Sequence, residues 1–248
     1  MFVDTHCHIF SEDYESIDEV MNNCKVSNIS KIINNGTNMA TNEEAILLSK
    51  QYDDMYITLG IHPEFANLYS EEDIDFIKDN LDNKKVVAIG EIGLDYHYEH
   101  DRDKQIELFR KQLKIAEDNN IPVVIHSREA TKDTIDILKE YKVRGVIHSF
   151  SGSYETACIY IKMGFVLGIN GVVTFKNCNL KEVIEKLDLS NIILETDSPY
   201  LTPVPFRGHR NEPKHVVDIA KYIAELKGIE LDELAKITNE NVKRIFDI

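Results

Sequence analysis

The sequence predicts an α/β fold, a single (β/α)8 TIM barrel that occupies all 248 residues as one domain. Three observations predict it: β-branched runs recur at eight places, helical patterns lie between them, and the length fits the roughly 250 residues of such a barrel. Repeated strand–helix alternation is typical of a parallel sheet. An open doubly wound sheet is the alternative, but it normally carries a Gly-rich turn after the first strand, where this chain has DTHCHIF.

Eight candidate strands and several helix starts can be placed by residue type. The strand runs are residues 2–6, 31–34, 55–60, 85–91, 121–126, 144–148, 164–169 and 191–196. Thr41 with Glu44 predicts a capping box, Ser70 with Asp73 predicts a weaker one, and Ser153 predicts a further helix start. The other helical patterns are residues 17–24 and 106–116, a stop at Gly164, and two final helices at 213–227 and 231–246 separated by Gly228.

The overall charge restricts the partners of the chain. With 28 Lys and Arg against 43 Asp and Glu, the net charge is −15. This argues against a broad basic face for duplex nucleic acid, because such binding depends on phosphate neutralisation. It leaves room for a small cationic site that bound metal ions help to create.

The cysteines and the apolar segments indicate the compartment. The four cysteines are scattered without a CxxC, which predicts reduced, mostly buried thiols: Cys7, Cys24, Cys158 and Cys178. The N-terminal segment resembles no signal peptide, and no apolar run approaches the roughly eighteen residues of a membrane helix. We therefore expect a cytoplasmic protein with no membrane association and no obligate protein partner.

Six ionisable side chains lie at the carboxyl ends of the predicted strands. They are His6, His8, Glu91, His126, His148 and Asp197. Barrel enzymes build their sites at the carboxyl ends of the strands, so we expect these side chains to meet. Residues two apart in a strand point the same way, which places His6 and His8 on one face and leaves Cys7 as a packing residue.

Each of these residues also has a structural interpretation when taken alone. The histidines are compatible with a packed core, Glu91 with a helix cap, and Asp197 before Ser-Pro with a turn. Their shared position favours metal binding, because ionisable groups ending apolar strands are costly unless paired or ligated.

The number of candidate ligands predicts two divalent ions that share a carboxylate. We assign His6, His8 and Asp197 to one ion and His126 with His148 to the other. Glu91 is assigned as the bridge. His and carboxylate ligands accept Mg²⁺, Mn²⁺ or Zn²⁺, so the residues leave the metal open.

Six segments carry a resemblance to a known family. In chain order they are VDTHCHI, GIHPE, GEIGLDYHYE, PVVIHSREA, GVIHSFSGS and LETDSPYLTPVPFRGHRNEP. They resemble the successive motifs of the TatD family of metal-dependent deoxyribonucleases, within the amidohydrolase superfamily, and the similarity runs from Val3 to the closing NVKRIF. The resemblance implies a (β/α)8 fold and a phosphodiesterase centre with the same six ligands. It also implies a 3′→5′ exonuclease acting on single-stranded DNA or DNA 3′ ends.

Further residues are candidates for catalysis and substrate contact. Asp197 is the candidate general base for a metal-activated water, and Glu91 is the second catalytic candidate. The resemblance places His62 near the substrate. The cationic candidates for phosphate contact are Arg128, Arg207, His209 and Arg210, for which a solvated surface is the alternative. Asp95 and Tyr96 are candidates for orienting a ligand or for packing, and the candidates for base stacking are Tyr96, Tyr98 and Phe206.

Two other functional classes fit the same residues. A small-molecule amidohydrolase or phosphotriesterase would use the same binuclear centre, and fold and ligands do not separate it from a nuclease. The cationic loop from Arg207 to Arg210 favours an anionic phosphate over a neutral amide. A metal-binding scaffold without activity is disfavoured, since the complete set of six ligands is present.

Overall fold

The structure is a computed structural model that describes residues 1–97 and 101–248. Within these residues, a parallel strand forms at each of the eight predicted positions, and the strands follow one another along the sheet in chain order. The strands are β1 (Phe2–Cys7), β2 (Ile29–Asn35), β3 (Met55–Leu59), β4 (Val86–Asp95), β5 (Val123–Arg128), β6 (Gly145–Ile147), β7 (Phe165–Ile169) and β8 (Ile192–Leu194).

Helices separate the strands, as the alternation predicts. In the described ranges they are α1 (Ile17–Val26), α2 (Met39–Gln51), α3 (Glu71–Asp79), α4 (Arg102–Asn119), α5 (Thr131–Leu138), α6 (Tyr154–Lys162), α7 (Leu180–Lys186), α8 (Val216–Lys227) and α9 (Leu231–Phe246). The sequence patterns did not single out α5 and α7. Both helices lack a side-chain hydrogen bond at the N-cap, so the capping signal used elsewhere is missing there.

The predicted cap of α2 is wrong by one turn. Asn38 is the N-cap, its side chain accepts a hydrogen bond from the Thr41 N–H, and Thr41 is the third helical residue. The Thr41 hydroxyl in turn accepts from the Asn38 N–H, so Asn38 and Thr41, rather than Thr41 and Glu44, form the capping box. Asn takes this role as readily as Ser or Thr, which an S/T-x-x-E pattern does not detect.

The predicted starts of α3 and α6 and the predicted stops at Gly164 and Gly228 are confirmed, whereas α8 begins at Val216 because a 3-10 turn occupies Pro213–His215. Asp73 accepts a hydrogen bond from the Ser70 N–H at the start of α3, and Ser153 accepts from the Thr156 N–H at the start of α6. Gly164 and Gly228 follow α6 and α8 with φ angles of 92° and 64°, in the left-handed region that favours glycine.

Two compact units can be distinguished. Unit 1 comprises Met1–Asn34, Ser149–Lys162 and Val166–Ile248. Within it β1 pairs with β2 and β7 with β8, and a bridge between Cys7 and Ser198 joins the end of β1 to the segment after β8. Helices α8 and α9 pack against β1 and β8, which buries the apolar faces of both helices.

Unit 2 comprises Asn35–His148 and Met163–Phe165. Its strands β3, β4, β5 and β6 pair in parallel in that order. Helix α2 packs against β3, α4 against β4 and α5 against β5. Each unit thus repeats the pattern of parallel strands covered by helices; that the chain is one domain stays a prediction.

Two of the six predicted ligands are not at strand ends. Strand β4 continues to Asp95, so Glu91 lies inside it, and His126 lies inside β5. The sequence predicted that β4 ends at Glu91 and β5 at His126, whereas the pairing between these two strands continues to Asp95 and Arg128. His148 does follow β6 directly, and Asp197 comes three residues after β8.

A local irregularity in β4 accompanies this extension. Ile89 lies opposite Val123, and Ile92 lies opposite Ile125, so β4 has one more residue than β5 between these pairs. Beyond it, a Cβ on Gly93 would lie 1.9 Å from the carbonyl oxygen of His126, at a φ of +146°. Only glycine fits this approach between the two strands.

Among residues 1–97 and 101–248, no helix is long and apolar enough to cross a membrane. Cys7 and Cys24 are buried, whereas Cys158 and Cys178 are partly exposed.

Candidate metal centre

The first group of candidate ligands lies where β1 ends, and we call His6, His8 and Asp197 the β1–β8 cluster. The Nε2 atoms of His6 and His8 are 3.1 Å apart. The Oδ1 atom of Asp197 lies 3.7 Å from Nε2 of His6 and 3.6 Å from Nε2 of His8. Cys7 points the other way, with Sγ 3.4 Å from the Ile33 carbonyl oxygen, as strand alternation predicts.

Backbone hydrogen bonds hold the β1–β8 cluster together. The Asp197 N–H donates to the His6 carbonyl at 2.9 Å, and the His8 N–H donates to the Ser198 carbonyl at 2.6 Å. Asp197 has a φ of +59°, a left-handed conformation that Asp tolerates better than most residues. These backbone contacts therefore bring the Asp197 carboxylate close to the imidazoles of His6 and His8.

A buried carboxylate beneath the cluster was missed by the sequence analysis. Asp4 is fully buried and accepts hydrogen bonds from the Thr196 N–H at 2.9 Å and the Thr196 hydroxyl at 2.6 Å. Burial raises the pKa of the Asp4 carboxyl well above its usual value, although the bonds from Thr196 oppose this. Asp4 thus holds Thr196, the residue that precedes Asp197, in place. In the sequence, the only indication of this role is an acidic residue inside the apolar strand at 2–6.

The second group surrounds Glu91, and we call His62, Glu91, His126 and His148 the β4–β5 cluster. Oε1 of Glu91 lies 2.7 Å from Nδ1 of His126. It lies 3.8 Å from Nε2 of His62 and 3.8 Å from Nε2 of His148. Glu91 is 3% exposed, so its carboxylate meets these imidazoles rather than solvent. His62, expected as a substrate contact, thus lies among the candidate ligands.

Asp95 extends this cluster. Its Oδ2 lies 3.1 Å from Nε2 of His126, and its Oδ1 accepts from the His97 N–H. The Gln105 side chain holds the Asp95 backbone at both its N–H and its carbonyl. The expected role of Asp95 in orienting a ligand therefore agrees with its contact to His126.

The two carboxylates change the titration of His126. Burial lowers the pKa of His126, whereas its hydrogen bonds to Asp95 and Glu91 raise it, to about 9 overall. Burial has the opposite effect on Asp95 and raises its pKa. The hydrogen bonds from His126 and from the His97 N–H outweigh burial and bring the pKa of Asp95 below its usual value. A metal ion at this imidazole has to displace a proton at neutral pH.

The donor atoms of both clusters fit divalent metal ions. The side chains of His6, His8 and Asp197 place their ligand atoms within 4.8 Å of one another, as do those of His62, Glu91 and His126. Imidazole nitrogen with carboxylate oxygen suits Zn²⁺ and Mn²⁺ and accepts Mg²⁺. The donor chemistry is thus compatible with an ion at each cluster.

The cationic candidates for substrate contact are spread over two loops. Arg128 ends β5 and is exposed. In the loop after β8, the Arg207 guanidinium lies 3.9 Å from the centre of the Phe175 ring, and that of Arg210 lies 5.6 Å from the centre of the Tyr14 ring. His209 in the same loop is exposed.

The stacking candidates differ in their surroundings. The Tyr96 hydroxyl donates to Asp133, and Arg102 lies 4.3 Å from the centre of its ring. Phe206 is 38% exposed. Tyr98 lies outside the described residues.

Glu195 is a second buried acidic residue that the sequence analysis missed. Its Oε1 accepts from the Ser149 N–H at 2.7 Å, and a Cβ on Gly168 would lie 2.1 Å from its Oε2. The Asn170 amide donates to the Ser149 hydroxyl. Glu195 thereby fixes the residue that follows His148 in the chain; its signal was a second carboxylate in LETDSP.

Comparison with known proteins places the chain in a family. The sequence profile described as "TatD related DNase" matches residues 3–247. The chain belongs to the TatD family. This TatD chain is 43% identical over 254 residues to the "Uncharacterized metal-dependent hydrolase YabD" of Bacillus subtilis, with 100% of both chains covered.

Solved structures confirm the fold class. The crystal structure of YjjV, a TatD homolog from Escherichia coli, matches with a TM-score of 0.94 at 29% identity, covering 100% of this chain and 98% of YjjV. The organophosphorus hydrolase from Deinococcus radiodurans matches with a TM-score of 0.67 at 13% identity, covering 99% and 92% of the chains, which shows the fold alone. This TatD chain therefore has the predicted (β/α)8 fold and belongs to a family of metal-dependent hydrolases.

Proposed function

We propose that this TatD protein is a divalent-metal-dependent deoxyribonuclease acting as a 3′→5′ exonuclease on single-stranded DNA. The observation that carries the proposal is the position of the Asp197 carboxylate, 3.6–3.7 Å from two imidazole nitrogens. Three of the six predicted ligands thus share a cluster, in a chain that matches a family described as DNases. A cytoplasmic location is part of the proposal and rests on the sequence.

The roles of the residues follow from their chemistry. His6, His8 and Asp197 would hold one Mg²⁺, Mn²⁺ or Zn²⁺ ion, and Glu91, His126 and His148 of the β4–β5 cluster would hold a second. Bound ions of this kind lower the pKa of water and stabilise charge on phosphate oxygens. Asp197 accepts the proton of the attacking water, and Asp95 keeps His126 oriented through their 3.1 Å contact.

The charge distribution supports a short single strand as the substrate. The net charge of −15 disfavours tracking along duplex DNA. Arg207, His209 and Arg210 form a local cationic stretch directly after the segment that carries Asp197, and Arg128 lies at the end of β5. These residues and His62 are the proposed contacts to the phosphates of the strand.

The test uses single-stranded DNA labelled at its 5′ end and protein stripped of metal. Mg²⁺, Mn²⁺ or Zn²⁺ is then added separately, with Glu91→Ala as the deficient variant and Glu43→Ala, an exposed residue of α2, as the matched control. We expect a ladder that shortens from the 3′ end with metal in the wild type and Glu43→Ala, and no ladder with Glu91→Ala.

Two outcomes would contradict parts of the proposal. Internal cuts would contradict the exonuclease polarity. An intact strand in the presence of metal-loaded protein would contradict the nuclease itself, and the same preparation would then be assayed on phosphotriesters and amides.

A further inference from the structure

A pocket of about 320 Å³ lies in unit 1 between the loop after β7 and the loop after β8. It is lined by Phe175, Lys176, Asn177, Val204 and Arg207, and we call it the loop pocket. Four of these residues are exposed and Phe175 is partly buried, so the pocket is open to solvent. None of the predicted ligands lines it.

The two loops hold each other in place. The Val204 N–H donates to the Thr174 hydroxyl at 2.9 Å, and this hydroxyl donates to the Gly171 carbonyl at 2.7 Å. A Cβ on Gly171 would lie 2.2 Å from the Leu201 carbonyl oxygen, so the backbones approach closely there. The walls of the loop pocket are therefore preformed.

The lining combines a flat aromatic surface with positive charge. The Arg207 guanidinium lies 3.9 Å from the centre of the Phe175 ring, and Lys176 is exposed beside it. Val204, 47% exposed, adds apolar surface. Aromatic rings and guanidinium planes both stack on nucleobases, and neighbouring cations favour the attached phosphates. On a chain with a net charge of −15, two cations at one apolar pocket favour a ligand that is both planar and anionic.

The loop pocket also lies on the segment that leads away from the β1–β8 cluster. The Tyr200 N–H donates to the Asp197 carbonyl at 2.8 Å, which turns the chain directly after the cluster, and Val204 is reached four residues later. Both loops follow the carboxyl ends of their strands, which is where Asp197 lies. Two residues that line the loop pocket, Val204 and Arg207, thus lie on the same segment after β8 as Asp197.

We propose that the loop pocket binds one nucleobase of a single-stranded nucleic-acid substrate, stacked against the Phe175–Arg207 pair. This inference rests on the proposed nuclease function and adds a base subsite to it. Binding there is sequence-tolerant, because every base has a flat face that can stack.

The experiment removes the base and the ring separately. Metal-loaded full-length protein is titrated with a fluorescent phosphorothioate oligonucleotide, and KM is measured on the cleavable oligonucleotide. In the probes, each of the 3′-terminal nucleotides is replaced in turn by an abasic residue. The variants are Phe175→Leu and Arg207→Lys, which keep apolar volume and charge respectively. Arg144→Gln, an exposed residue before β6, is the matched control.

We expect one abasic position to weaken wild-type binding and raise KM roughly 5- to 100-fold, the range for loss of one stacked base. Phe175→Leu should show the same loss with the normal oligonucleotide and no further loss with the abasic one, while Arg207→Lys should show part of it. Arg144→Gln should match the wild type, and kcat should change little with Phe175→Leu.

The outcomes separate this inference from the proposed function. Normal cleavage with Phe175→Leu and Arg207→Lys both within twofold of the wild type on every probe overturns the base subsite and leaves the nuclease standing. Binding that depends on Phe175 without any cleavage supports the subsite and overturns the nuclease. If the wild type neither binds nor cleaves the oligonucleotide, both are wrong.

Discussion

The two ligand clusters are built in different ways. In the β1–β8 cluster, backbone hydrogen bonds between the His6–His8 segment and the Asp197–Ser198 segment set the geometry. In the β4–β5 cluster, side chains do this, since His126 lies between the carboxylates of Glu91 and Asp95. Backbone bonds fix a position whatever side chain is present, whereas a side-chain network depends on every member. Substitutions should therefore have local effects in the first cluster and shared effects in the second.

The largest effect is expected for Asp197→Asn. The amide keeps the shape of the side chain but cannot accept the proton of the attacking water, so kcat should fall about 10²- to 10⁴-fold. Because the backbone bonds at Asp197 remain, KM and the melting temperature should change little. Steady-state kinetics with Asp54→Asn, an exposed residue, as control provide the measurement. A kcat within threefold of the wild type at saturating metal would exclude the base role.

A smaller effect, on metal affinity, is expected for Asp95→Asn. Losing the charge that orients His126 should weaken metal binding at the β4–β5 cluster about 10- to 100-fold. Backbone hydrogen bonds within unit 1 set the geometry of the β1–β8 cluster, so one class of ions should keep its affinity. Titration calorimetry with Mn²⁺ separates the two classes, and the exposed residue Asp103 supplies the control Asp103→Asn. An equal loss of Mn²⁺ affinity at both classes of site would contradict the claim that substitutions in the two clusters act independently.

The sequence predicted the strands and the ligand types but not the parts that hold them. All eight strands are where β-branched runs occur, because burial of such runs follows directly from composition. The position of Glu91 inside β4 was not predictable, since pairing beyond it depends on the partner strand. Asp4 and Glu195 were missed for the same reason, because their roles depend on partners that tertiary structure supplies, whereas the Asn38 cap is local and was missed because the S/T-x-x-E pattern does not include Asn.

Loss of stability, rather than of chemistry, is expected for Asp4→Ala. The change leaves the buried Thr196 N–H without its acceptor, at a cost of about 1–3 kcal/mol, and takes one of two hydroxyl partners from Thr196, which keeps Ser198. The free energy of unfolding should fall by at least the cost of one such group, and Asp4→Asn, which keeps one oxygen acceptor, should lose less. Urea denaturation of the metal-free variants gives the values. If Asp4→Ala is as stable as Asp54→Ala, the hydrogen bonds between Asp4 and Thr196 do not stabilise the fold.

The smallest effect on the free energy of unfolding is expected from loss of the Thr196 hydroxyl, which donates to Asp4. Thr196→Val preserves shape and the backbone N–H but removes the hydroxyl that donates to Asp4 at 2.6 Å, so the loss should be about 1 kcal/mol. In the Asp4→Asn background the same change should cost less, because the donor has already lost its carboxyl acceptor, and the difference measures the coupling of the pair. Additive losses would mean that the hydroxyl acts through Ser198, whose Oγ lies 2.7 Å away, instead of through Asp4. In either case kcat should change much less than with Asp197→Asn, since the backbone bonds at Asp197 persist.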